Sequence, residues 1–227
     1  GGDVQIGSIT SSFTLSGPLT RKASFLISGR RSTIDLLLKP MEFSNYYSNY
    51  NFYDLNAKLK FQVSQKDRIY LSLYQGRDNS AYMNDSADKY AVNYRIQFGN
   101  QAVALRWNHI YKQKIFSNTS LVYNNYFRDV TARQQRYYAE LYSGIRDIVF
   151  KTDFYFYPSL KHKLSAGINY LYQTFSPATV LDISATDTSS VVIPSEIPKK
   201  YASRIALYAD DELWLSPKFS IYLGVRM

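Results

Sequence analysis

The chain has no cysteine in its 227 residues. That excludes disulfide staples and thiolate metal centres and leaves the compartment open. Histidine is nearly absent as well. His109 and His162 are the only two, they fall in different hairpins, and neither has a second histidine or a cysteine nearby, so no metal and no cofactor is expected. There is no glycine-rich phosphate loop, no nucleophile elbow and no Ser/His/Asp arrangement, so no enzyme is expected. No stretch approaches the roughly 18 consecutive apolar residues of a membrane helix. That absence does not reach β-barrels, whose alternating strands escape an averaged scale, so the mean hydropathy of −0.31 leaves them open. No signal peptide is visible. The chain opens on "GGDVQIGSIT" and closes on "SIYLGVRM" within what reads as a strand, and both ends are expected to be cut. Clustered charge is missing too. The net charge is +9, but the cations are scattered over short turns, which argues against nucleic acid as a partner.

Aromatic residues are abundant, at 16% with 22 Tyr and 13 Phe. Strict alternation is also present. In "FYDLNAKLKFQVSQKDRIYLSLYQGRD" (52–78), Leu55, Ala57, Leu59, Phe61 and Val63 are apolar, and Asn56, Lys58, Lys60, Gln62 and Ser64 between them are polar. After Gln65-Lys66-Asp67-Arg68 the pattern resumes with Ile69, Leu71 and Leu73 against Tyr70, Ser72 and Tyr74. In a strand, this period places one oily face opposite one wet face. "RDIVFKTDFYFYP" repeats it, with Ile148, Phe150, Thr152, Phe154 and Phe156 against Val149, Lys151, Asp153, Tyr155 and Tyr157.

Basic short turns recur at 17–22, 65–68, 111–114, 158–163 and 216–218, separated by longer polar stretches at 41–51, 78–89, around 128–136 and at 176–200. The chain thus reads strand, short turn, strand, long loop, with about ten strands by the hairpin signals. Runs of roughly 11–16 residues exceed the usual 5–6 of soluble strands and suffice for the 9–11 of a transmembrane strand. Burying Lys58, Lys60, Lys151 and Asp153 in a dry core is costly, whereas facing a wet lumen is not. The oily face is therefore expected to meet lipid. Three segments break the pattern. "TARQQRYYAELY" (131–142) is rich in helix formers, which leaves a helix open there. "GRRSTIDLLLKP" loses alternation at Leu36-Leu37-Leu38, as at a bulge or a strand exit. The 176–200 stretch has apolar pieces of its own and leaves room for a small hairpin.

Four phrases, in order, resemble the TonB-dependent outer-membrane receptors, in particular those with a carboxypeptidase-regulatory-like N-terminal domain. They are "SGPLTRKASFLISGRRSTIDLL" (16–37), "FGNQAVALRWNHIYKQKIFSNTSLVYNNY" (98–126), "SGIRDIVFKTDFYFYPSLKHKLSAGINYLYQTFSP" (143–177) and "LYADDELWLSPKFSIYLGVR" (207–226). The resemblance implies an all-β, antiparallel up-and-down transmembrane barrel of about 22 strands filled by a plug. It also implies location in the outer membrane of a Gram-negative bacterium and import of a scarce ligand with energy delivered by TonB. Its partners would be membrane lipid, the plug, TonB, a surface lipoprotein and a small-molecule, glycan or peptide ligand. The chain departs from the family in having no plug, no TonB box and only about ten strands. Residues 1–227 are therefore expected to be one partial barrel domain, the N-terminal portion of the wall. Such a piece alone leaves two strand edges unpaired.

Candidate ligand contacts are Tyr46, Tyr47, Tyr50 and Phe52 in the loop 44–53, because tyrosine combines apolar area with a hydroxyl at low entropic cost. The alternative is an aromatic girdle at the outer interface, the commoner use of such residues in barrels. Asp78, Asn79, Asp85 and Asp88 offer oxygen ligands without calcium-loop spacing, and read better as a solvated loop. Arg30, Arg31, Lys58, Lys60, Lys151 and Asp153 are candidate lumen residues, with Asp210-Asp211-Glu212 as possible counter-charges for the cations. A hydrated barrel wall explains them without any ligand. Two rival readings remain: a complete small barrel of about ten strands acting as a porin-like channel, adhesin or outer-membrane protease, and a soluble all-β binding module that needs no detergent.

Overall fold

The computed structural model describes residues 1–38, 46–84, 91–134, 137–184 and 197–227. Among them, alternation becomes strand wherever the sequence shows it: β1 (Gly2–Ile6), β2 (Thr10–Thr20), β3 (Ala23–Ser32), β4 (Tyr46–Gln62), β5 (Asp67–Asn84), β6 (Asn93–Lys112), β7 (Ile115–Gln134), β8 (Tyr137–Phe156), β9 (His162–Ser184), β10 (Lys200–Ser216) and β11 (Phe219–Arg226). They form one antiparallel sheet of 11 strands in which spatial order equals chain order, one more strand than the hairpin signals suggest. The additional strand is β1, which pairs with β2 from Gly2↔Leu15 to Ile6↔Ser11. β1 and β11 are the two edges, and the sheet does not close on itself.

The tight connections fall where the basic turns predict them. In the first, the two turn residues are Arg21 and Lys22, while Gly17 and Pro18 belong to β2. Pro18 sits beyond the stretch that pairs with β1 and next to a register shift against β3, a place where the missing N–H costs no ladder bond. The loss of alternation after Ser32 is a strand exit. It leads into the one-turn helix α1 (Ile34–Leu38), whose Asp35 accepts a hydrogen bond from Arg31 at 2.7 Å.

At the opposite end the strands outrun the expected loops. β4 begins at Tyr46 and β5 runs to Asn84, paired throughout from Tyr46↔Asn84 to Gln62↔Arg68. The 131–142 segment is strand on both sides of residues 135–136, with Gln134↔Tyr137 closing the ladder, so its helix-former content is overridden by pairing. β9 continues to Ser184 against β8, with register shifts near Tyr142. The remainder of the 176–200 stretch, residues 185–196, lies outside the described residues, as do Asp85 and Asp88.

The sheet has no core. Among the described residues the only buried ones besides glycines are Ala206, Ser32 and Ser117, while Leu105, Leu121 and Phe150 are 46%, 50% and 41% exposed. A soluble domain covers its apolar sheet face with a second layer, and here no such layer is present among the described residues. Among the described residues no helix is long and apolar enough to cross a membrane. Strands do have the reach. β4 to β10 are 17–23 residues long. A 20-residue strand extends about 65 Å, and tilted by about 40° it rises roughly 50 Å along the membrane normal, against a hydrocarbon core of about 30 Å.

Candidate functional site

Register divides the sheet into two faces. One row runs Ala57↔Leu73↔Val103↔Tyr123↔Ile148↔Tyr172, and the next outer row toward the tight turns runs Leu59↔Leu71↔Leu105↔Leu121↔Phe150↔Tyr170. These rows make a continuous apolar belt. The intervening rows on the other face contain Lys58↔Ser72↔Ala104 and Lys60↔Tyr70↔Arg106↔Ser120↔Lys151↔Asn169. An oily belt on one face with charge on the other is the pattern of a membrane barrel wall, lipid outside and water inside. The lumen candidates Arg30, Lys58, Lys60, Lys151 and Asp153 all fall on this inner face. Arg31 does not. It pairs with Tyr53 on the outer face and bonds Asp35, because adjacent strand residues point oppositely.

Two inner-face networks share one design. In the first, Arg30 donates from Nε at 3.0 Å and from Nη2 at 2.5 Å to Asp54 Oδ2, and Tyr74 donates to Asp54 Oδ1 at 3.0 Å. The Arg30 guanidinium also lies 5.1 Å from the centre of the Phe52 ring. In the second, Lys151 Nζ stands 3.0 Å from Asp153 Oδ2, and Tyr208 donates to Asp153 from two strands away. Arg226 and Lys151 lie 5.6 and 5.8 Å from the Tyr208 ring centre. Gly167, on the strand between, makes the second network possible. A Cβ there would stand 2.5 Å from the Tyr208 ring and 2.6 Å from the Thr152 carbonyl oxygen, so only a glycine lets Tyr208 lie across β9. Tyr74 reaches Asp54 across Gly76 in the same way. Tyr74, Tyr208, Asp54 and Arg226 were not among the candidates from sequence. For Tyr74 a glycine two residues on, Gly76, is a signal in the sequence, whereas Tyr208 meets Gly167 only through the neighbouring strand.

The acidic run at 210–212 is engaged within its own hairpin. Asp210 accepts from Ser165, Asp211 stands 2.7 Å from His162 Nδ1, and Glu212 accepts from Lys163 at 3.1 Å. It therefore does not pair with Arg30, Lys58 or Lys60. His109 meets an aspartate as well. Its Nδ1 lies 2.6 Å from Asp67, which also accepts from Trp107 Nε1 at 2.9 Å. Asp67 lies beside the 63–66 turn, beyond the belt. Hydrogen bonds from Ser64, His109 and Trp107, in that order of weight, lower its carboxyl to about 2. No cluster of three or more metal-ligating side chains occurs among the described residues.

The candidate ligand residues sit on β4 rather than in a loop. Tyr50 and Phe52 occupy inner-face positions opposite Ser80 and Asp78, and Tyr50 donates to Asp78 at 3.5 Å. Tyr46 and Tyr47 pair with Asn84 and Met83. Asp78 and Asn79 lie on β5, where Asn79 donates to Asn51 at 2.9 Å, so the expected solvated loop begins later than the sequence suggested.

No family profile and no curated protein matches the chain. Solved structures do. The siderophore receptor PirA of Acinetobacter baumannii superposes over 96% of this chain with a TM-score of 0.68 at 13% identity, using 35% of its own length. The ferric yersiniabactin uptake receptor FyuA of Yersinia pestis does so over 95%, with a TM-score of 0.66 at 10% identity and 37% of its length. The outer membrane transporter YddB of Escherichia coli gives 96%, 0.66, 10% and 33%. The chain thus spans about a third of the length of the structures it matches. Its fold is that of a segment of the β-barrel wall of these structures, the fold that the resemblance to TonB-dependent receptors implies.

Proposed function

We infer that the chain is a wall segment of a TonB-dependent receptor in a Gram-negative outer membrane, one that binds a scarce extracellular ligand and imports it with TonB-delivered energy. The observation that carries this reading is the single-layer sheet with an apolar belt outside and a charged, hydrogen-bonded face inside. Such a sheet is stable only between lipid and a filled, hydrated lumen. The plug and the TonB box belong to the rest of the polypeptide.

Tyr50 and Phe52 line the approach from the loop end and, with Tyr46 and Tyr47 further along β4, are the residues proposed to meet ligand. Arg30, Lys58, Lys60, Lys151 and Asp153 line the lumen. Siderophore, glycan and peptide ligands all suit an aromatic, hydroxyl-rich wall. The absence of β1–β11 pairing weighs against a small barrel complete in these residues. The test is the intact mass of the native polypeptide extracted in detergent from its membrane. A mass several times the 26.2 kDa of this chain is expected. A mass near that value, or extraction without detergent, overturns the reading.

A further inference from the structure

The two ends of the outer face differ. At the tight-turn end the rows Ile69↔Trp107↔Thr119↔Thr152 and Asp67↔His109↔Ser117↔Phe154 hold no arginine and no lysine. At the loop end the belt gives way to a row of amides, Gln75↔Gln101↔Asn125, which continues to Arg146 and Thr174. One outer-face position further, about 7 Å along the strand, Arg77 pairs with Tyr53. Phe127 lies across Gly99, where a Cβ would collide with its ring, and the Arg77 guanidinium sits 5.4 Å from the centre of that ring. Arg146 is exposed and Arg77 half-buried. Neither has a carboxylate within salt-bridge distance among the described residues. Further toward the loops, Asp129 lies one position beyond Phe127, and Arg95 one position beyond Gln97, the partner of Asp129. On the belt side of the amides lies a groove of about 520 Å³. Ile27, Ala57, Leu73, Val103 and Tyr123 line it, with Gln75 and Gln101 at its loop end.

We propose that this patch binds the phosphorylated saccharide headgroup of an anionic glycolipid in the loop-side leaflet, with one acyl chain in the groove. The inference rests on the barrel reading above and adds which lipid the outer face takes, and where. An arginine at the edge of the hydrocarbon is costly unless an anion meets it, and its planar fork matches phosphate by paired hydrogen bonds. Arg77 and Arg146 stand three strands apart, about 14 Å across the sheet, which is further than one phosphate reaches. The headgroup that spans them carries two separated phosphates. The part between those phosphates lies over Gln101 and Asn125, whose amides both donate and accept. Sugar hydroxyls answer both halves of an amide. The apolar groove begins where the amide row ends, so head and chain are continuous. Charge complementarity at the loop end only, with none at the tight-turn end, ties the site to one leaflet.

The experiment is native mass spectrometry of the full-length polypeptide carrying this sequence, purified in detergent, freed of bound lipid and titrated with lipid A, dephosphorylated lipid A and cardiolipin. Lipid A should be retained. Both the Arg77→Gln/Arg146→Gln variant and removal of the phosphates should weaken it by about tenfold or more, the loss of charge-assisted bonds. Arg106→Gln, on the inner face, should leave binding unchanged. Equal retention of lipid A by the double variant overturns the site. Cardiolipin carries two phosphates without a saccharide, and its binding as tightly as lipid A overturns the glycolipid in favour of an anionic phospholipid. A dimer that lipid A does not displace and the double substitution dissociates overturns it in favour of a second copy. Extraction without detergent overturns the barrel reading itself, which the other outcomes leave intact. Dephosphorylated lipid A tests the same contact on the unaltered protein, so failure of the variant to fold does not rescue the idea.

Discussion

The β4–β6 wall and the β8–β11 wall are built on the same lattice and solve the same problem differently. Both present cations to the lumen from strands whose other face is lipid-facing. On β8–β11 the neutralising carboxylates belong to the wall itself: Lys151 has Asp153, Lys163 has Glu212, and Tyr208 lies over Gly167 to join the first pair. On β4–β6 the lower cations Lys58, Lys60, Arg68 and Arg106 pair across the ladders with neutral residues, among them Ser24, Gln62, Tyr70, Ser72, Asn108 and Ser120. The first wall pairs Lys151 and Lys163 internally, with Arg204 left without a carboxylate among the described residues, and the second leaves a group of four cations unpaired.

The sharpest way to break this comparison is to move a cation by one residue. Ala104→Arg adds to the β4–β6 cluster on the wet face and should cost a few tenths of a kcal/mol, whereas Leu105→Arg places the charge in the belt and should cost about 2–4 kcal/mol. The unfolding free energy of the full-length protein in bilayers checks both, and equal costs would sink the assignment of faces. Next in size is Gly167→Val, which drives a side chain into Tyr208 and the Thr152 carbonyl. A loss of about 1–3 kcal/mol is expected from such overpacking, read as a lower unfolding midpoint. Ala104→Val, on the other wall between Ser72 and Val122, should leave that midpoint nearly unchanged.

A sign difference gives the third test. Asp153→Ala leaves the half-exposed Lys151 and the Tyr208 hydroxyl without their acceptor and should destabilise by about 1 kcal/mol, discounted for solvent screening. Arg106→Gln removes one of four repelling charges and should leave barrel stability unchanged or slightly higher. Destabilisation of the barrel by both would erase the distinction between the walls. The smallest effect concerns Asp67. Its carboxyl is lowered in the folded chain to about 2 from the usual 3.8. Its contribution is therefore fully present above the unfolded value and is lost as pH falls through the folded one. Acid titration of stability between about pH 4 and pH 2 should be flatter in Asp67→Asn than in wild type, and an unchanged slope would show that the His109–Trp107–Asp67 contact contributes nothing.

Legibility along the chain followed the solvent. Where one face met lipid and the other water, as over Leu55–Phe61 and Ile148–Phe156, alternation gave strand, face and turn positions correctly. Further toward the loop end, both faces meet water. There "SNYYSNYNFY" and "DNSAYMN" carry polar and aromatic residues on both sides, the period-two signal vanishes, and strands were read as loops although the backbone ladder continues unbroken from Phe52↔Asp78 to Tyr46↔Asn84. The helix left open at 131–142 does not form over its described residues, for a related reason. Its helix propensity is a weak local preference, while a strand flanked on both sides by partners satisfies every backbone group.

The sequence by itself determined the class of this protein. Period-two alternation, tight basic turns and the absence of cysteine, long apolar runs and catalytic constellations are local properties, and they sufficed for a membrane β-sheet with a charged inner face. Only the tertiary structure decided which charges are neighbours. Cross-strand register brings Asp153 to Tyr208 across 55 residues of chain and turns Arg31 outward beside an inward Arg30. It also leaves Lys58, Lys60, Arg68 and Arg106 together without an acid. Coulomb energy depends on distance through space, and distance through space in a sheet is set by register, which no single strand encodes.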